Sequence, residues 1–170
     1  FKNFRQPGTI TVKGLAEKPY QADSAEWQTS VVVHGATYQE VLDGLKRAQP
    51  VLAKFLQQHG FGAAEIQTLT PTVEPAYEES RSGDGRYQRV QNGFDGEQKL
   101  MVKTKNLADI QAANQAILSL RAANEAIRFE PPQYLLSNLE TIKHALITQA
   151  TEDAHKRAQE FAKTGGAAVG

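Results

Sequence analysis

The chain has 170 residues, 40% of them hydrophobic and 22% charged, with nineteen Lys and Arg matched by nineteen Asp and Glu. A neutral chain offers no global field to draw in nucleic acid or an anionic membrane, so neither is expected as a direct partner. The absence of cysteine excludes thiol catalysis, thiolate metal sites and disulfides, and no apolar run approaches the roughly 20 residues that span a bilayer.

That length suits a single domain over residues 1–170, or two small subdomains sharing a core. The chain begins at Phe1 without a methionine, which raises the expectation of a signal or anchor upstream. Thr9 to Glu17 alternates: Ile10, Val12, Gly14 and Ala16 face one way, and Thr11, Lys13, Leu15 and Glu17 the other. This predicts a half-buried strand, broken at Lys18-Pro19. A second strand is predicted from Ser24 to His34, with Trp27, Thr29, Val31 and Val33 on one face. Thr37-x-x-Glu40 is a capping box. The helix it opens carries Val41, Leu42, Leu45, Ala48, Leu52, Phe55 and Leu56 as one stripe. The stripe continues past Pro50, so one helix kinked there is predicted, ending at Gly60.

Ile66 to Val73 reads as an edge or terminal strand, because of Pro71 and Pro75. The polar stretch "EESRSGDG", Glu78 to Gly85, reads as a mobile loop. Asn92-Gly93, between Arg86 to Gln91 and Phe94 to Thr104, is a strong hairpin signal. Asn106 is expected to cap a helix bearing Leu107, Ile110, Ala113, Ile117 and Leu120, closed by a left-handed Asn124. Ile127 to Leu136 is a strand interrupted by Pro131-Pro132. Ser137-x-x-Glu140 is a second capping box, opening a helix from about Asn138 to Thr164 that Gly165-Gly166 stops. Its row of Ala150, Ala154, Ala158 and Ala162 beside Phe161 reads as core or interface. The fold class is therefore α+β: an antiparallel sheet with helices on one face, a ferredoxin-like βαββαβ element from Ser24 to Leu136, and a long C-terminal helix.

Candidate chemistry is sparse. His144 and His155 share a helix but stand about 16 Å apart along it, too far for one metal ion with bonds near ~2.1 Å. With His34 and His59 they read as surface or helix-end residues. Asp23 and Glu26, as i and i+3 on a strand, point to opposite faces. Asp23 is read as bracing the strand entry through backbone amides, and Trp27 as core. Gly83-x-Gly85 and Gly93-x-x-Gly96 are turn glycines without a P-loop or dinucleotide fingerprint around them. Glu152, Asp153, Lys156 and Arg157 form a solvated helix face with i,i+4 pairs. No catalytic, cofactor-binding or metal-ligating residue is assigned, and no cofactor is expected.

The stretch "TVKGLAEKPYQADSAEW" resembles the opening of the SIMPL family of bacterial envelope proteins, a group of unknown function. The matching positions are Val12 to Gly14, Ala16, Glu17, Ala22, Asp23, Ala25 and Trp27. Phe55-Leu56 running into Gly60-Phe61, then Pro132-Gln133-Tyr134, Leu139, Lys143, Ala150-Thr151, Ala154, Ala158 and Phe161-Ala162 continue the likeness in order. The family pattern goes on for two more strands beyond the long helix, where this sequence stops at Gly170. The resemblance implies a periplasmic protein, free or held at the inner membrane by an upstream N-terminal anchor. It further implies large homo-oligomers and a part in stress tolerance, and it carries over no catalytic residues. Two classes of function follow: a non-enzymatic assembly module, or a small-ligand-binding protein or hydrolase with an unrecognised site. The first would leave polar groups accounted for by caps, turns and ion pairs, whereas the second needs a pocket with convergent polar groups.

Overall fold

Alternating, β-branched sequence builds two long strands around which the middle of the chain is organised. The computed structural model describes residues 8–13 and 17–169. Among these residues are β1 (Thr9–Lys13), β2 (Glu17–Gln21), β3 (Ser24–Gly35), α1 (Tyr38–Gln58), β4 (Ile66–Thr68), β5 (Thr72–Arg81), β6 (Tyr87–Thr104), α2 (Leu107–Ala123), β7 (Ile127–Phe129), β8 (Gln133–Leu135) and α3 (Leu139–Val169). The class is α+β with antiparallel sheets. The described residues divide into two units: one holds those up to Asp23 and from Tyr134 onward, and the other is Ser24–Gln133.

In Ser24–Gln133 the strands run β4-β6-β3-β7, and β5 pairs with β6 as well. β3 and β6 stay in register from Ala25 opposite Thr104 to Gly35 opposite Phe94. The odd-numbered face of β3 is buried, as its alternation requires: Ala25, Trp27, Thr29 and Val31 meet Leu100 and Val102 of β6, Val41, Leu45, Leu52 and Leu56 of α1, and Ile110, Ala113 and Ile117 of α2 in one core. The polar groups on this face of β3 are satisfied. Trp27 Nε1 donates to the Glu130 carbonyl at 2.8 Å, and Thr29 Oγ1 donates to the Leu100 carbonyl at 2.7 Å. α1 presses closely on the sheet because glycine stands at the contact. A Cβ on Gly44 would lie 2.6 Å from Val33 Cγ1, and one on Gly96 would lie 2.3 Å from Val41 Cγ1.

The first capping box forms: Thr37 Oγ1 accepts from the Glu40 amide at 3.1 Å, and Glu40 reaches back to the Ala36 amide at 3.0 Å. α1 then continues through the exposed Pro50 as a single helix. At the start of α2, Asn106 Oδ1 accepts from the Asp109 amide at 3.3 Å. Asn124, expected to be left-handed, is instead extended at φ −142° and ψ 106°, and its side chain accepts from the Ala126 amide at 3.0 Å. That short Asx bond closes the turn into β7 without a positive φ.

The hairpin turn does not lie at Asn92-Gly93. β6 runs straight through these residues, and the turn is at Ser82 to Arg86, inside the stretch expected to be a loop. There the Ser82 amide donates to the Arg86 carbonyl at 2.8 Å and the Gly85 amide to the Ser82 carbonyl at 3.0 Å. Glu78 to Arg81 are strand, paired with β6 from Val90 to Tyr87. Asn92 and Gly93 jointly oppose Ala76, since Pro75 pairs with Phe94 and Tyr77 with Gln91. The pair is thus a β-bulge, with Gly93 supplying the positive φ of 65°. A bulge and a type I′ turn ask for the same glycine conformation, which is why the dipeptide misdirects.

Ile66 to Val73 is two strands rather than one. β4 and β5 lie at successive positions on one edge of β6, separated at Leu69 to Pro71. Lys18-Pro19 does not end a strand but sits within β2, with Pro19 opposite Thr11. In a two-stranded sheet every strand has a free edge, where a missing amide is tolerated. Gly14, Leu15 and Ala16 lie outside the described residues. Gly165-Gly166 does not stop α3, which runs to Val169. Ala154, Ala158, Phe161 and Ala162 are exposed, so that row is not core in this chain.

Gly93→Ala should destabilise Ser24–Gln133 by more than about 1 kcal/mol, since the added Cβ would sit 2.1 Å from the Gly35 carbonyl oxygen. A denaturant midpoint equal to that of the parent protein would show that the bulge relaxes without cost.

Candidate functional site

Each carboxylate at the front of β3 has its own structural partner. The Asp23 carboxylate accepts from the Ser137 amide at 3.0 and 3.2 Å and from the Ser137 hydroxyl, while the Asp23 amide donates to the Leu135 carbonyl at 3.0 Å. Asp23 therefore braces backbone, as its sequence position suggests, but the amide it holds is 114 residues away at the start of α3 rather than at the strand entry. This engages the Ser137 hydroxyl as a donor to Asp23, in place of the expected capping box with Glu140. Glu26, on β3, faces Lys103 on β6 at 3.8 Å.

The histidines are dispersed. His34 Nδ1 lies 2.7 Å from Asp95 on the neighbouring strand, with both side chains at least half exposed. His59 follows α1 with its ring 4.4 Å from that of Phe55. His144 is exposed, and His155 contacts Gln159 at 3.2 Å. Among the described residues no group of three or more His, Asp and Glu could hold a metal ion. On α3 the expected i,i+4 ion pairs of Glu152, Asp153, Lys156 and Arg157 do not close. Asp153 accepts from Gln149 at 3.1 Å instead, and all four side chains are exposed.

An open groove of about 400 Å³ lies on Ser24–Gln133, lined by Glu26, Gln28, Met101, Glu130 and Pro131-Pro132. Of its lining, Glu26 faces Lys103, and the backbone carbonyl of Glu130 accepts from Trp27 Nε1.

An exposed built feature of Ser24–Gln133 is the outer end of the β5–β6 hairpin. β3 stops at Gly35, opposite Phe94, so residues 87–92 of β6 have β5 on one side and, among the described residues, no strand on the other. β5 pairs with β6 alone. The result is a two-stranded arm with both edges bare, an arrangement marginal in water by itself. Its own side chains brace it. Arg89 stacks over Tyr77 at 4.4 Å and Arg81 over Tyr87 at 5.7 Å, contacts worth about 0.5–1 kcal/mol each at an exposed site. Asn92 Nδ2 donates to Glu78 at 3.1 Å. At the tip, the Ser82 hydroxyl and then the Arg86 amide hold the Asp84 carboxyl below its usual range. Tyr77 remains 49% exposed, Tyr87 71% and Val90 43%. Composition hides this arm, but alternation marks it: Tyr77-x-Glu79-x-Arg81 and Tyr87-x-Arg89-x-Gln91 flank a Ser-Gly-Asp-Gly turn.

Comparison with protein-family models matches residues 10–170 to SIMPL, described as a protein of unknown function (DUF541). No curated protein matches the chain.

One titratable group ties three elements of Ser24–Gln133 together. Glu65, just before β4, accepts from the Thr104 hydroxyl at the end of β6 and from the Gly62 amide at 3.0 Å, and Thr104 Oγ1 accepts from the Asn106 amide at 3.0 Å ahead of α2. The Thr104 hydroxyl, then the Gly62 amide, hold the Glu65 carboxyl below its ordinary 4.5. A carboxyl depressed in the folded state stabilises fully above the unfolded value and loses that contribution as pH falls through the folded one. Glu65→Gln should therefore be less stable than the parent at neutral pH, with the difference closing below about pH 4.5. Equal urea midpoints at neutral pH would contradict this network.

Proposed function

The chain belongs to the SIMPL family, and from that premise we propose that it is a non-enzymatic assembly module of the bacterial cell envelope that works as a homo-oligomer. One observation carries the reading: the β5–β6 arm leaves two strand edges bare over residues 77–81 and 87–92. An unpaired edge is a template for another strand, and proteins that remain monomeric guard such edges. This arm has Pro75 and a bulge at its base, and along it Glu78, Glu79, Arg81 and Arg89, charges of both signs that a second copy can match, stand among exposed tyrosines. Phe161, 70% exposed, and Ile147, 57% exposed, on α3 offer further contact area. The same reading assigns the protein to the periplasm, free or held at the inner membrane by an N-terminal segment, with a part in stress tolerance. Support for both is the family resemblance.

We also propose that Ser24–Gln133 is a ferredoxin-like plait elaborated by the arm. The order β7-β3-β6-β4 and the alternation of strands with α1 and α2 support that assignment.

Light scattering at micromolar concentration is the test. The reading predicts a mass that is a multiple of the 18.7 kDa chain. A monomer throughout the concentration range would contradict it.

A further inference from the structure

The two edges of the arm differ in charge and are of similar length. Residues 77–81 of β5 carry Glu78 and Glu79 against Arg81, whereas residues 87–92 of β6 carry Arg89 and no acid, with Arg86 leading into them. On β5 the register shifts between Pro75 and Tyr77, so the regular edge beyond the bulge is residues 77–81. On β6, β3 takes over the ladder from Phe94, so the bare edge is residues 87–92. A net-acidic edge of five residues and a basic edge of six, on opposite sides of one hairpin, are complementary between copies.

We propose that the β5 edge of one copy pairs with the β6 edge of the next, head to tail, so that successive arms form one antiparallel sheet. This rests on the assembly reading above and names the contact. β5 is antiparallel to β6 within the hairpin, so repeating the hairpin sideways sets the next β5 antiparallel to the preceding β6. If the register within the arm is kept, Glu79 of the incoming strand lies opposite Arg89, an opposite-charge pair of the kind that stabilises sheets. The ladder in which Arg89 meets Tyr77 and Arg81 meets Tyr87 then continues from copy to copy. Because unlike surfaces meet, the assembly closes into a ring where the rotation per copy allows, and otherwise grows as a filament.

The chain has no cysteine, so introduced cysteines report contacts cleanly. Ser80→Cys and Gln88→Cys are neutral probes on β5 and β6, at exposed positions. Under mild oxidation, a mixture of the two singly substituted chains should form a cross-linked dimer, while either alone should not. Glu79→Arg should weaken assembly, and adding Arg89→Glu should restore it. If Ser80→Cys cross-links to itself, like edges meet and the head-to-tail arrangement is wrong. If the oligomer persists in Glu79→Arg and the mixture gives no cross-link, the arm is not the contact, although the assembly reading stands. A chain monomeric at every concentration removes both.

Discussion

Gly93 marks where β6 outruns β3, and so where the helix-covered sheet gives way to the arm. With a φ of 65° and open space only for a hydrogen at its Cα, it packs on the Gly35 carbonyl at the point where β3 stops. Two residues of β6 oppose one of β5 there, which bends the ladder and lets β6 reach eighteen residues while β3 has twelve. On the inner side of the bulge, Tyr38 of α1 meets Phe94 edge-on at 5.9 Å and the helices cover the sheet. On the outer side the two strands have only each other, their Arg–Tyr contacts and water. The assembly we propose follows from that division, because a hairpin without a covering layer has backbone groups to share.

Asp23 and Trp27 show how neighbouring residues can serve separate bodies. Asp23 belongs to the unit that includes α3 and holds the backbone at Ser137, while Trp27 belongs to Ser24–Gln133 and fills its core. Five residues of sequence thus carry one brace and one core anchor. Glu40, Glu65 and Asp84 brace in the same way: their carboxylates accept backbone or hydroxyl hydrogen bonds at a helix start, a strand start and a turn. Among the described residues no buried side-chain polar atom is left without a partner. These carboxylates hold backbone and turns in place.

Where burial pattern and capping chemistry agree, the sequence is enough. The face of β3 from Trp27 to Val33, the Thr37–Glu40 box, the α1 stripe through Pro50 and the Asn106 cap can all be read directly, because each depends on contacts within a few residues or on one periodicity. Features set by distant contacts cannot. Asn92-Gly93 reads as a turn until β3 and β5 are present to make it a bulge. Glu78 to Arg81 reads as a loop because its pairing partner, not its own apolarity, makes it strand. Lys18-Pro19 reads as a break because nothing local says that β2 has a free edge. The alanine row of α3 reads as a packed face, yet its residues from Ala154 onward are exposed. The arm is legible only as polar alternation on either side of the five residues Ser82 to Arg86.

Amide hydrogen exchange, resolved by residue at two protein concentrations, addresses the central claim most directly. In a lone arm, only amides that bond across the hairpin are protected, and those on the outer edges exchange freely. If the bare edges are assembly edges, the outward amides of residues 77–81 and 87–92 will gain protection as concentration rises, while amides of β3 stay unchanged. Outward amides in the arm that exchange at one rate at both concentrations would contradict the account.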